Sequence, residues 1–189
     1  ADLMGCIGTG KAARDESRMI NCGIAEANMI GVACGLSASG FKPIIHSFGP
    51  FASRRIYDQA FLSGGYAGNS VTILGSDPGV TAEFNGGTHM PFEDMALYTA
   101  LPGATVLDIS DPAMLEDLLP KCVATSGVKY IRFPRKKSIR LYESGSHFEI
   151  GKAVELKDGT DAAIIACGIM VAKAMEAAEI LEAKGVSVR

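Results

Sequence analysis

Apolar residues fall in short blocks separated by glycine, proline and polar turns. Four blocks have strand length and carry β-branched or aromatic side chains: KPIIHSF (42–48), SVTILGSD (70–77), TVLDIS (105–110) and VKYIRF (128–133). Runs of this length bounded by turn residues predict buried strands. Helical patterns lie between them. The stretch from Gly23 to Gly40 is apolar or small on every side of a helical wheel, which predicts a buried helix stopping at Gly40. SRRIYDQAFLS (53–63) reads as an amphipathic helix with Ile56, Ala60 and Phe61 inward and Arg54 and Arg55 on a solvated or interface side. PFEDMALYTALP reads as a short helix with Pro91 in its first turn, and DPAMLEDLLPKCVA as one capped by Asp111–Pro112 and kinked at Pro120. Strands alternating with helices predict an α/β domain.

From Tyr142 the text changes to a polar, turn-rich YESGSHFEIGKAVELKDGTD, with Gly145, Gly151 and Gly159. This predicts a linker at 143–150 between a domain over 1–142 and a second one starting at 151. Beyond it, AAIIACG reads as a buried strand, MVAKAMEAAEILEAKG as a helix ending at Gly185, and VSVR as the start of another strand. A lone β-α-β unit cannot bury a core, so 151–189 is expected to be an incomplete α/β domain.

Length and composition add bounds. The chain has 189 residues, enough for one full α/β domain and part of a second. No apolar run reaches the ~18–20 residues that span a bilayer. A net charge of −3 gives no electrostatic case for nucleic acid or an anionic membrane. The five cysteines, Cys6, Cys22, Cys34, Cys122 and Cys167, are scattered and never in C-x-x-C spacing, which predicts reduced thiols in a cytoplasmic protein and no metal cluster. The chain opens at ADLMG without an initiator Met, so a preceding segment stays open. GCIGTGKA (5–12) nearly spells a phosphate-binding P-loop, but Ala12 stands where a hydroxyl would bind Mg²⁺ and only four residues precede the motif. A flexible Gly-rich loop is the better reading.

The candidate chemistry starts at Glu26, one carboxylate in an apolar helix. Burial without a partner costs free energy and drives a carboxyl pKa upward. The plainer alternative is a first-turn Glu bonded to free backbone N–H groups and favoured by the helix dipole. Phe48 and Phe51 leave a strand end through Gly49–Pro50 and suit either core packing or stacking on a flat ring. His46, within the strand, reads as a packed core histidine. Asp77 lies beyond the carboxyl end of a strand, where open α/β sheets bind ligands. The long loop PGVTAEFNGGTHM presents His89 as a substrate contact or a surface histidine. Arg132 opens a cationic patch with Arg135, Lys136 and Lys137, a solvated charge run or a phosphate site.

GIAEANMIGVACGLSASGFKPIIHSFGPFASRRIYDQ, with GGTH at 86–89, LPGATVLDISDP and VKYIRFPR, closely resembles the pyrimidine-binding domain of the transketolase family of thiamine diphosphate enzymes. The resemblance covers residues 1–142, and 149–189 is similar to the start of the family's carboxy-terminal domain. It implies a doubly wound, mostly parallel sheet and a two-carbon ketol transfer between sugar phosphates in the pentose phosphate pathway. It also implies roles for single residues. Glu26 would bond N1′ of the cofactor's aminopyrimidine, with Phe48 and Phe51 packing on that ring and Asp2 and Cys6 near the cleft. Asp77, Asn85 and His89 would contact substrate, His89 beside the reacting atoms, and Arg132 would clamp a phosphate.

Departures from the family pattern touch sugar recognition: Asp77 stands where transketolases commonly have His, Asn85 replaces Asp, GGTH replaces G-P-T-H, and Asn28 lies in a GIAEAN without the usual Gln or His after the Glu. The family holds diphosphate and Mg²⁺ through a G-D-G…N motif that is absent here. The resemblance therefore implies a partner, either a diphosphate-binding domain or an amino-terminal transketolase subunit, in a homodimer or heterotetramer. Three competing readings are the pyrimidine domain of 1-deoxy-D-xylulose-5-phosphate synthase, a non-catalytic assembly subunit, and a generic nucleotide-binding domain.

Overall fold

A computed structural model describes residues 2–6, 8, 16–135 and 139–189. The chain clusters into two compact units, one of residues 1–107 with 122–136, the other of residues 108–121 with 137–189.

The first unit is built on four strands, β1 (Ile44–Phe48), β2 (Val71–Ser76), β3 (Thr105–Asp108) and β4 (Val128–Phe133), in the order β1-β2-β4-β3. The pairs β1–β2 and β2–β4 are parallel, with Ile45, Ile73 and Tyr130 in one register row and Phe48, Ser76 and Phe133 in another. The α/β fold with a mostly parallel sheet agrees with the sequence reading, and β2 is buried along nearly its whole length as a central parallel strand should be. Ile45, Val71, Ile73, Val128 and Tyr130 face a core filled by Met29, Ile30, Ala33 and Cys34 of helix α1 (Glu26–Ala38), together with Ile56, Ala60, Tyr98 and Leu101.

A polar layer ties this core to the next helices. Tyr98, on helix α4 (Asp94–Thr99), stacks on Tyr130 with centroids 4.3 Å apart, and its hydroxyl donates to the Ala52 carbonyl at 2.7 Å. Burial pushes both phenols up, so both stay protonated donors. Tyr130 donates to one oxygen of the buried Asp94 at 2.8 Å and Arg132 to the other at 3.1 Å. Gly75 is required here because a methyl group on it would collide with the Tyr130 ring and hydroxyl.

Several expectations are corrected. Helix α1 is not buried on every side: Ala27, Asn28, Gly31, Gly35 and Ala38 are exposed, and a methyl group on Gly31 or Gly35 would meet nothing within 4 Å. The stretch 53–63 is not one amphipathic helix. After the short α2 (Gly49–Ala52), α3 covers only Tyr57–Gln59 and passes into a π-helix at Ala60–Tyr66. Its wider turn rotates Phe61 outward while Gly64 and Gly65 approach Val128 and Leu101 closely. Helix α4 starts at Asp94, later than Pro91 suggested, and β3 stops at Asp108.

In the second unit, Asp111 caps helix α5 (Pro112–Ala124) as its sequence predicts: Oδ1 accepts from the Met114 N–H at 3.0 Å. Oδ2 accepts from the N–H groups of Leu141 and Tyr142, and α5 continues past Pro120. Helix α6 (Met170–Glu182) forms with Gly185 just beyond it at positive φ. The flanking strands reduce to one parallel bridge, Ala162 with Val188. The expected burial of AAIIACG is overturned: Ile165 is 97% exposed, because no described layer covers its apolar side chains.

Candidate active site

Three parallel strands end flush at Phe48, Ser76 and Phe133, and the residues just beyond those ends gather at one edge of the sheet. Phe48 has extended backbone and serves as the N-cap of α2, with Pro50 in the first turn. Gly49 sits against Pro91 and the Ser76 carbonyl with no room for a β-carbon, and the Ser53 hydroxyl closes the turn on the Gly49 carbonyl at 2.7 Å. This tight turn sets the Phe48 and Phe51 rings edge to face, 6.1 Å apart.

The other predicted loop residue joins them. His89, in the short turn Gly87–His89, lies edge-on to both rings, 5.2 Å from Phe48 and 5.1 Å from Phe51, and its Nδ1 shares a hydrogen bond with the Thr88 hydroxyl at 2.9 Å. Asn85 is exposed in the preceding turn, Glu83–Asn85. Asp2 is exposed where the chain approaches α1, its N–H donating to the Gly23 carbonyl and its carboxylate accepting from Asn21.

Glu26 occupies the first turn of α1 and is only 5% exposed, so the buried carboxylate expected from sequence is present. It is not without a partner, however. Arg55 Nη1 lies 3.2 Å from Oε2 of Glu26, and the same guanidinium stands 3.9 Å over the centre of the Phe51 ring. Arg55 is therefore more than a solvated helix residue. Its neighbour Arg54 pairs with Glu93 at 2.8 Å, and that contact holds the Glu93 carboxyl below its usual range.

A second arginine mirrors this arrangement. Arg135 lies 4.8 Å over the Phe48 ring and binds the buried Asp77 carboxylate at 2.8 Å, with Nη1 reaching the Cys6 carbonyl at 3.4 Å. Asp77 has φ of 63°, the one positive value at a non-glycine among the described residues, and its Oδ1 is buried without a hydrogen bond. Such strain persists only where surrounding contacts fix it, here the Arg135 pair and the bond from Asp77 N–H to the Phe133 carbonyl. Arg132 is engaged by Asp94. Sequence reasoning thus missed Arg55 and Arg135 as members of the ring cluster. The available signal was their spacing: Arg55 lies four residues after Phe51, and Arg135 two after the strand end.

A buried carboxylate beside an aromatic face, already holding a planar cation, suits a flat nitrogenous ring that hydrogen-bonds at its edge and stacks on its face. The aminopyrimidine of thiamine diphosphate is such a group. Among the described residues no three His, Cys, Asp or Glu side chains gather as a metal would need.

Residues 3–139 match the family model for the transketolase pyrimidine-binding domain. The chain belongs to the transketolase family. Residues 151–189 of this transketolase-family chain match the model for the transketolase carboxy-terminal domain. It is 47% identical over 187 residues to the 6-deoxy-6-sulfo-D-fructose transketolase subunit SqwH of Clostridium sp. strain MSTE9, covering 98% of this chain and 58% of that protein. It is 35% identical to a putative transketolase carboxy-terminal section of Methanocaldococcus jannaschii, covering 99% of this chain and 60% of that one. Among solved structures, a split-gene transketolase described as an inactive β4 tetramer superposes with a TM-score of 0.87 at 34% identity, over all of this chain and 60% of that one. Campylobacter jejuni transketolase shares the fold, with a TM-score of 0.75 at 20% identity over 89% of this chain and 27% of that one. The chain thus spans about 60% of the length of the first of these relatives. No described helix is long and apolar enough to cross a membrane.

Proposed function

We propose that this chain is the pyrimidine-binding part of a thiamine diphosphate-dependent transketolase that moves a two-carbon ketol unit between anionic sugars. The observation that carries the reading is Glu26, a carboxylate 5% exposed at the start of α1 and within one guanidinium of the Phe51 ring. When bound, thiamine diphosphate would supply the stabilised carbanion that such a transfer requires.

The chain's own residues bind, orient and manage protons. Glu26 accepts or shares a proton at the ring nitrogen N1′, and its low-dielectric setting strengthens that single hydrogen bond. Phe48 and Phe51 hold the ring plane and exclude water from one side. His89, touching both rings, is placed to exchange a proton with a substrate hydroxyl. Asp77, whose buried Oδ1 has no hydrogen-bond partner, is the candidate hydroxyl acceptor if the site opens to substrate, and Asn85 on the loop is a further polar contact. For the anionic tail of the sugar, Arg135 lies 4.8 Å over the Phe48 ring, and Arg132 stays a candidate through its place one residue before the strand end.

Diphosphate and Mg²⁺ would be held by a separate domain or subunit, with 1–142 as the pyrimidine domain, 143–150 as linker and 151–189 as part of the carboxy-terminal domain, in a dimer or heterotetramer. The exposed flank of α1 supports a covering partner. Free thiols favour a cytoplasmic setting. The donor class is a ketose carrying a terminal phosphate or sulfonate, the latter suggested by the similarity to the sulfofructose transketolase subunit.

The test is reconstitution with the diphosphate-binding subunit and an assay of thiamine diphosphate-dependent transfer from fructose 6-phosphate and from 6-deoxy-6-sulfofructose to an aldose phosphate. Glu26→Gln should lower turnover by roughly 10²–10⁴-fold without loss of fold. Unchanged turnover would leave only an assembly role. Turnover with pyruvate in place of a ketose would favour the deoxyxylulose-phosphate reading, a class to which the chain is also similar, at 33% identity over 90% of its length.

A further inference from the structure

We infer that Arg55 is a built-in occupant of the aminopyrimidine slot, one that cofactor must displace before the site is loaded. The inference rests on the functional reading above and concerns how the same site is filled.

The argument is geometric. A ring bound by Glu26 and packed on Phe51 needs two things at once: an edge nitrogen that shares a proton with the carboxyl, and a flat face about 3.5–4 Å from the phenyl plane. The Arg55 guanidinium meets both requirements, with Nη1 3.2 Å from Glu26 and its central carbon 3.9 Å over the Phe51 ring. Guanidinium and aminopyrimidine are both planar, both present N–H donors and both stack on aromatic faces. One volume cannot hold the two. The Arg55 side chain is 46% exposed while that of Glu26 is 6% exposed, so the cation has an open path outward and the carboxylate does not. Arg55 also lies between α2 and α3, where its own N–H bonds the Pro50 carbonyl at 3.2 Å and the Ile56 N–H bonds the Ser53 carbonyl, so the backbone is held while the side chain is half exposed.

The occupant has a physical use. Without it the buried carboxylate would have no ion-pair partner among the described residues, a costly arrangement. With it, the Glu26 carboxylate is paired and oriented until a better-shaped ring arrives. Arg55 is thus a positioning residue that acts through Glu26, and it opposes binding.

This sets a direction that loss of an ordinary structural residue would not give. In the enzyme assembled with its diphosphate-binding subunit, thiamine diphosphate is titrated by calorimetry against wild type and the Arg55→Met and Arg55→Lys variants, with association rates followed by stopped flow. Arg55→Met should tighten binding roughly three- to thirtyfold and speed association, as expected from removing a competing cation–π contact and ion pair. Arg55→Lys, which keeps the charge but not the flat fork, should fall between. Weaker or unchanged binding in an Arg55→Met variant that assembles normally would overturn the inference while leaving the transketolase reading intact. Failure of wild type to bind thiamine diphosphate at all would remove both. Should Arg55→Met fail to assemble, Arg55→Lys carries the decision: tighter binding supports the inference, and equal or weaker binding overturns it.

Discussion

Glu26 and His46 show how differently one fold can treat two ionisable groups near a sheet. Glu26 has a counter-ion, whereas His46 has its Nε2 buried without a hydrogen bond and its ring tilted against Phe133 at 5.4 Å. Burial pulls the His46 pKa down from 6.5 to about 4. In the unfolded chain the imidazole takes up a proton near pH 6.5, while the folded protein resists until about pH 4. Between those values the unfolded state binds more protons, so stability is full above pH 6.5 and falls as pH drops through the window, by up to about 3 kcal/mol. Denaturant titrations from pH 7 to pH 4 should show this slope, and His46→Leu should flatten it. The packed histidine was legible from its place in an apolar strand. The partners of Glu26 were not, because an arginine 29 residues away reveals its direction only once the chain has turned at Gly49 and Pro50.

At the level of elements, strands were the most readable feature, since continuous β-branched runs leave few alternatives. Helices near the site were less so. The segment after Phe51 has an amphipathic pattern, but Gly64 and Gly65 allow a close approach to Val128 and Leu101 that a π-turn exploits and a plain 3.6-residue period does not foresee. The polar layer of α4 was also hidden, because Asp94 looks like an ordinary first-turn acid. In the fold it is fully buried and takes bonds from Tyr130 and Arg132. Asp94→Ala should therefore destabilise the protein by about 3 kcal/mol or more, by removing the acceptor of a buried pair. Tyr98→Phe, which loses only the bond to Ala52, should cost about 1 kcal/mol. Chemical denaturation of the two variants checks both values. A Tyr98→Phe enzyme that also lost activity would indicate that the Ala52 carbonyl helps aim the neighbouring Phe51.

For the whole molecule, the clearest difference between text and structure lies in what stays uncovered. The α1 sequence has no polar face, yet one flank remains open, and the apolar residues 163–165 of the second unit are exposed too. Sequence patterns report that a surface expects cover without saying which chain provides it. On the proposed function the α1 flank meets a partner. Gly35→Leu should then leave the chain folded and at least as stable, since nothing lies within 4 Å of its missing side chain and leucine is the better helix former by up to ~1 kcal/mol. Sedimentation of the mixture with the diphosphate-binding subunit should nevertheless show assembly weakened or lost. Equal assembly would place the contact elsewhere on the chain.

The flush row of Phe48, Ser76 and Phe133 also limits how such a protein can be divided. The groups around the rings are collected from distant parts of the polypeptide, with Glu26 at one extreme and Arg135 at the other. A gene boundary placed inside that interval would put two halves of a single rim on different molecules.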